Sequence, residues 1–242
     1  MVLTYHLLSD KGSRKINEDR VGSYERNKEF CFALADGLGG HDKGEVASRL
    51  VVEECTELFK ENGFDEFFLR NAFEISQEKL LEKQKKDKKP NDYKTTLVLL
   101  AINDKNINWG HIGDSRLYLF KNKKYVLHTL DHSVPQILVN AGEIEDKDIR
   151  NHPDRSHILA SMGIEWERPK YTVAEPIKPE KGMAFLMCSD GFWELITEED
   201  MEKCLRKAKN VHDWMNNMEK IVRKNGENRN MDNFSAVGVF IC

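Results

Sequence analysis

Long apolar runs are missing from this 242-residue chain. No stretch approaches the roughly 20 residues that a membrane-spanning helix needs. Met1 to Asp10 carry no basic segment followed by an apolar one, so no secretory leader is read there. Charge of one sign is also scarce. The 37 Lys and Arg nearly balance the 41 Asp and Glu, for a formal net charge of −4, which leaves no broad basic surface for nucleic acid or anionic lipid. The cysteines, Cys31, Cys55, Cys188, Cys204 and Cys242, are odd in number and form no C-x-x-C pair. A disulfide framework is excluded and a reducing compartment implied. The expectation is a cytoplasmic protein with one domain over 1–242.

Strand-like runs at Leu3–Leu8 and Phe30–Ala35 precede two helical patterns. In the first, Val46, Ala47, Leu50, Val51, Cys55, Leu58 and Phe59 recur at helical spacing up to Gly63. In the second, after Asp65, Leu69, Ala72, Phe73, Ser76 and Leu80 share a face. This helix runs out into the lysine-rich stretch Lys83–Lys94, read as a solvated loop. Short strands at Thr96–Ile102, Ile107–Ile112, Leu117–Phe120 and Tyr125–Thr129, separated by turn dipeptides, predict an antiparallel meander. His132–Gly142 reads as a helix, Glu143–Gly163 as irregular, Tyr171–Ile177 and Met183–Cys188 as strands. Helices are predicted at Glu198–Ala208 and Val211–Asn225, and a last strand at Phe234–Ile241. Strand blocks alternating with helix pairs indicate an α+β protein with helices outside β-sheets.

The chemistry-bearing pattern is acidic. Strands end at Asp36-Gly37, Gly113-Asp114 and Asp190-Gly191; Glu18-Asp19 precedes the strand around Val21, and Asp232-Asn233 precedes the last strand. Asp-Gly is a common turn dipeptide, but a carboxylate beside a buried strand costs several kcal/mol to desolvate unless paired or bound to a cation. Such a repeated placement strains the turn explanation. An oxygen-only donor set selects hard cations such as Mg²⁺ or Mn²⁺, and two such ions can activate water toward phosphorus. Gly37 lacks Cβ, which lets its backbone carbonyl approach an ion. Other phosphoryl-transfer designs are absent. No cysteine has an arginine six residues later, Asp146-Lys147-Asp148 lies in a polar segment, and Gly39-x4-Gly44 is followed by Glu45 where a P-loop needs lysine.

In order along the chain stand Ser9-Asp10-x-Gly12-x-Arg14-x-x-Asn17-Glu18-Asp19, Asp36-Gly37-Leu38-Gly39-Gly40-His41, Thr95-Thr96, Gly113-Asp114-Ser115-Arg116 and Asp131-His132-Ser133. Ala141-Gly142-Glu143-Ile144, His152-Pro153-x-Arg155, Ser189-Asp190-Gly191 and Asp232-Asn233 complete the series. This ordered set resembles the PPM family, the type 2C metal-dependent serine/threonine protein phosphatases, in its bacterial single-domain form. The resemblance implies a four-layer αββα sandwich, two antiparallel β-sheets flanked by helix pairs. It implies two Mn²⁺ or Mg²⁺ ions bridged by Asp36. Glu18 and the Gly37 carbonyl would complete one ion, Asp190 and Asp232 the other, and Asp114 with Asp190 a weaker third site. Arg14 would bind the substrate phosphate, and Asp19 and Asn233 would orient ligands from behind. The implied reaction is in-line attack by a metal-bridging hydroxide on phosphoserine or phosphothreonine, without a phosphoenzyme. The implied partners are phosphoproteins and an opposing Ser/Thr kinase, with no nucleic acid, no membrane and a monomeric state. Segment 133–163 would be a flap beside the site.

Other readings of single residues stand beside these. Asp114 could cap a turn and brace Arg116. Asp131 and His132 read as helix-capping, Ser115 and Ser189 as turn residues, and His41 as a helix-entry residue or one that orients a ligand from behind, not a ligand itself. Arg155 either structures the flap or touches substrate. The chain departs from the family pattern at Leu38, where many eukaryotic members carry a proton-donating histidine, and at Lys94, Met231 and Ser161-Met162. Two alternative functions fit the same resemblance, a catalytically silent phosphopeptide-binding module and a hydrolase of small phosphate esters.

Overall fold

Alternating apolar strands and amphipathic helices assemble into four layers in the computed structural model, which describes residues 2–38, 43–89 and 92–242. Gly39, Gly40 and His41 of the glycine-rich motif, with Pro90 and Asn91 of the lysine-rich stretch, lie outside the described residues. One sheet runs β1 (Leu3–Asp10), β10 (Phe234–Ile241), β9 (Met183–Cys188), β6 (Arg116–Lys121), β7 (Lys124–His128). The other runs β2 (Asp19–Arg26), β3 (Glu29–Asp36), β4 (Leu97–Ile102), β5 (Ile107–Ile112), β8 (Thr172–Val173). All pairings are antiparallel.

The sheets pack face to face through Phe32, Leu34, Val98 and Leu100 from one and Leu117, Phe185, Met187, Val237 and Val239 from the other. Each such side chain contributes about 1.5–3 kcal/mol on burial. Central strands with both faces covered are apolar throughout, as in β4, β9 and, between its terminal Glu29 and Asp36, β3.

Helix α1 (Gly44–Asn62) lays Ala47, Val51, Cys55 and Phe59 on the outer face of the second sheet, together with Leu69, Phe73 and Leu80 of α2 (Phe68–Asp87). The chain leaves α1 at Gly63, whose φ of +74° favours glycine. On the other side α5 (Glu198–Lys207) and α6 (Val211–Gly226) cover the first sheet with Met201, Leu205, Trp214, Met218 and Val222. Thr197 and Asn210 cap them, accepting from the N–H of Asp200 at 3.2 Å and of Asp213 at 2.8 Å.

Several expectations need correction. The predicted meander is two hairpins in different sheets, because β5 and β6 do not pair and the chain crosses over at Gly113-Asp114-Ser115. The strand predicted at Tyr171–Ile177 shrinks to Thr172–Val173 plus an isolated bridge between Ile107 and Ile177. Segment 143–163 contains a 3₁₀ turn at Asp146–Asn151. The helix predicted at His132–Gly142 is α3 (Val134–Asn140), capped by Ser133 and not by Asp131 or His132. A short helix, α4 (Asp190–Trp193), follows β9 where only a turn was read. The lysine-rich stretch begins as helix, α2 continuing to Asp87, which pairs with Lys83 at 2.8 Å.

Candidate metal centre

Strand register brings the scattered acidic residues to one end of the sandwich. Asp19 lies opposite Asp36 in the β2–β3 pair, and Gly37 then bridges to Thr95. In the other sheet Cys188 is flanked by Arg116 and Ala236. Asp114, Asp190 and Asp232 therefore sit just beyond the same ends of β6, β9 and β10. A cleft of about 680 Å³ opens there, lined by Arg14, Glu18, Asp36, Gly37, Asp114, Asp190, Asp232 and Asn233. Every residue assigned to the metal ions or the phosphate meets in this one cleft.

Each is held by identifiable bonds. The Asp36 N–H donates to Thr96 Oγ1 at 2.9 Å, and its carbonyl accepts from Thr96 N–H and Thr95 Oγ1, both at 2.8 Å. Asn233 binds the 11–18 loop from three sides. Its Oδ1 accepts from Glu18 N–H at 2.8 Å, and its Nδ2 donates to the carbonyls of Lys11 and Ile16 at 2.9 and 3.0 Å. A Cβ at Gly37 would stand 2.3 Å from the backbone carbonyl of Gly44, so the start of α1 packs directly on this strand end. At Gly191 a Cβ would fall 2.0 Å from the Asn233 carbonyl oxygen. Only glycine permits either approach.

Electrostatically the site is strained toward a cation. Burial pushes the Asp36 carboxyl well above its ordinary range, and Asp19, Asp190 and Asp114 push it further. Asp114 is raised well above the usual value by burial, then by Asp190 and Asp131, and Asp190 is raised by burial and Asp232. Burial likewise lifts Asp19 to about 7, against the hydrogen bonds from Ser189 and Ser235. Asp19 Oδ2 accepts from Ser189 Oγ at 2.7 Å, whereas its buried Oδ1 has no hydrogen-bond partner.

Among the described residues no three His, Cys, Asp or Glu side chains already enclose a common point as a metal cage does. Instead Asp190 adds repulsion to the buried Asp36 carboxyl, and Arg14 Nη2 sits 2.8 Å from Asp232 Oδ2. A divalent cation relieves such repulsion between carboxylates. The all-oxygen donor set and the unpartnered Asp19 oxygen fit the chemistry of hard divalent cations. The Arg14–Asp232 pair is about half exposed. Such pairs are worth about 0.2–1 kcal/mol, so it holds Arg14 only weakly.

Some functional neighbours were not legible in the sequence. Ser189 and Ser115, read as turn residues, make buried bonds: Ser189 to Asp19, and Ser115 Oγ with Thr96 Oγ1 at 2.8 Å. Trp193 Nε1 donates to the Asp114 carbonyl at 3.0 Å. Arg155 Nε lies 2.9 Å from Glu194 Oε1, at the end of α4. Burial, then Asp190, lifts Glu194 to about 7, against the pull of Arg155. Asp114 does not brace Arg116. That role belongs to Asp131, whose two oxygens accept from Arg116 Nε and Nη2 at 2.8 and 2.7 Å. The Thr-Thr pair and the spacing of Ser189 one residue before Asp190 were the available signals.

The family model described as protein phosphatase 2C matches residues 9–234. The chain belongs to the protein phosphatase 2C family. It is 30% identical over 212 residues to the serine/threonine phosphatase stp of Listeria innocua, covering 84% of this chain and 83% of that protein. It is 31% identical over 204 residues to the protein phosphatase PhpP of Streptococcus pneumoniae, covering 81% of each. Among solved structures, the Mycobacterium tuberculosis serine/threonine phosphatase PstP/Ppp superimposes with a TM-score of 0.86 at 28% identity, over 100% of this chain and 99% of that one. The catalytic domain of PstP, solved in complex with two manganese ions, superimposes with a TM-score of 0.80 at 26% identity, over 98% and 97% of the chains. The αββα sandwich expected from the resemblance is the fold observed.

Proposed function

We propose that this family member is a bacterial, cytoplasmic, monomeric protein-serine/threonine phosphatase, a single domain over 1–242 that removes phosphate placed by a Ser/Thr kinase. The observation that carries this reading is the convergence of Asp36, Asp114, Asp190 and Asp232 with Arg14 in one cleft. Among the described residues no helix is long and apolar enough to cross a membrane.

In this reading Asp36, Glu18 and the Gly37 carbonyl with Asp190 and Asp232 would hold two Mn²⁺ or Mg²⁺ ions, and Asp114 with Asp190 would hold a third, more weakly. Divalent ions held there supply water activation and neutralise phosphoryl charge for in-line displacement. Arg14 turns from Asp232 to take two phosphoryl oxygens with its planar fork, a geometry lysine cannot copy. Asp19 and Asn233 orient the ligand-bearing strands from behind, Asp19 through Ser189 and Asn233 through the 11–18 loop. Leu38 lines the cleft and donates no proton. Segment 133–163 acts as the flap, with Ser156, Ile158 and Ser161 facing the cleft.

The test is release of phosphate from a phosphothreonine peptide with Mn²⁺. Asp36→Asn is expected to lower kcat/KM by on the order of 10³-fold, about 4 kcal/mol of transition-state stabilisation, and chelation to abolish turnover. Activity persisting through either treatment rejects the metal-carboxylate reading.

A further inference from the structure

Lys94 departs from the family pattern, and the structure sets it in the lining of the catalytic cleft. Its backbone is pinned on both sides. The Lys94 carbonyl accepts from Leu38 N–H at 3.0 Å. The following residue, Thr95, bridges to Gly37 on one side and Met162 on the other. Before it, Gly163 packs so tightly on Tyr93 that a Cβ there would fall 2.2 Å from the Tyr93 carbonyl oxygen. The lysine therefore leaves a fixed seam between the strand end that carries Asp36 and the end of segment 133–163.

Two cations line this cleft, and they differ in what engages them. Arg14 hangs from the first sheet's side and is paired with Asp232. Lys94 belongs to the second sheet's side and is half-buried, and among the described residues its ammonium makes no hydrogen bond or ion pair. Leu38 and Ile164 line the same cleft. A phosphoryl group held by Arg14 and by the cations the carboxylates would bind leaves the rest of a peptide to cross the cleft rim. There an apolar surface meets one unsatisfied positive charge on a flexible stem.

We infer that Lys94 is a specificity-determining residue that recognises a second anionic group, a carboxylate or another phosphate, on a residue flanking the phosphorylated one. The inference rests on the phosphatase reading above. It makes this position of the cleft a charge-selective subsite in this chain.

The experiment compares kcat/KM of the full chain with Mn²⁺ on three phosphothreonine peptides that differ only in the flanking residues: alanine, glutamate or phosphoserine. The readout is the ratio between peptides for one enzyme, so any general loss of activity cancels. The wild type is expected to favour the anionic peptides by about tenfold, chiefly through KM, with the preference fading at high salt. The glutamate and phosphoserine arms identify which anion is preferred. Lys94→Met, which keeps most of the stem, should bring the ratios to about one, and Lys94→Glu should invert them. Arg14→Ala should lower turnover of all three without changing the ratios. Equal ratios in wild type and Lys94→Met overturn the inference, as does a wild type without anionic preference. A wild type that turns over none of the peptides overturns the phosphatase reading as well.

Discussion

Two clusters of buried charge lie two residues apart on the β5–β6 crossover, and they are neutralised in opposite ways. Arg116 is held by both oxygens of Asp131, its guanidinium stands 3.6 Å over the Trp193 ring, and Nη1 reaches Tyr118 OH at 3.2 Å. Both side chains of that ion pair are 1% exposed. Asp114, by contrast, faces Asp190 and through it Asp36 and Asp232, all of one sign. Trp193 touches both clusters, stacking on Arg116 and donating to the Asp114 carbonyl. The first cluster is complete within the chain and serves as a brace. The second gathers carboxylates of one sign, and in the function proposed above bound cations would compensate them, which makes their repulsion a functional property and not a folding defect.

The largest effect should come from breaking the brace. Removing one member of a buried ion pair strands the other, at about 3–5 kcal/mol. Asp131→Ala should therefore lower unfolding stability by that amount in urea, with or without divalent ions. Asp36→Asn should do the reverse in metal-free protein, raising stability because it relieves like-charge repulsion. If the two variants shift the midpoint in the same direction by similar amounts, the distinction between brace and cation site is broken.

Protons separate the two regions by sign. Beside the brace, His111 and His132 stack with ring centroids 4.6 Å apart. His111 Nε2 bonds the Leu130 carbonyl at 2.8 Å, and His132 Nδ1 accepts from Gly113 N–H at 3.2 Å. Burial lowers both from 6.5 to about 4, His132 further through His111, while Asp131 pulls it back. Between about pH 6.5 and 4 the unfolded chain binds more protons than the folded one, so their contribution is present above 6.5 and lost on acidification. For His111, 3% exposed, the loss is on the order of 3 kcal/mol. The check is the stability difference between wild type and His111→Gln from pH 7.5 to 4, which cancels the carboxylates common to both. A difference that stays flat with pH removes His111 from the account.

How much of this was legible follows from what each feature depends on. The main helices and their place outside β-sheets follow from local periodicity, which Ala47, Val51, Cys55 and Phe59 carry without any partner, whereas the four-layer αββα order was implied by the family resemblance. The convergence of Asp36, Asp114, Asp190 and Asp232 on one cleft was foreshadowed because their dipeptides recur at strand ends in a family order. What failed was non-local. Turn signals around Gly113 mark a reversal of direction but not a change of sheet, so two hairpins read as one meander. Arg116 has a nearer carboxylate in sequence, Asp114, yet its bidentate partner is Asp131 on the far side of a hairpin. Ser189 and Trp193 gain their roles from what folds against them, and single-residue chemistry does not announce that.

The remaining prediction concerns the acidic cluster itself. Burial raises Asp19 from 3.8 and Glu194 from 4.5, each to about 7. Groups raised in the folded state give stability that is present below the unfolded value, near 4, and lost as pH rises through about 7. The carboxylate contribution to metal-free stability should therefore fall between pH 5.5 and 8, opposite in sign to the histidine contribution. Mn²⁺ at a hundred times its Kd should add about 2.7 kcal/mol, roughly 5–10 °C in Tm for a chain of this size. The gain at a fixed Mn²⁺ concentration should be larger at pH 8, where binding displaces fewer protons from the carboxylates. Thermal unfolding at both pH values, with and without Mn²⁺, measures this directly, and Asp36→Asn should lose most of the gain. A Mn²⁺-induced rise in Tm at pH 5.5 that matches or exceeds the rise at pH 8 would show that the cleft does not hold its carboxylates against their repulsion for a cation.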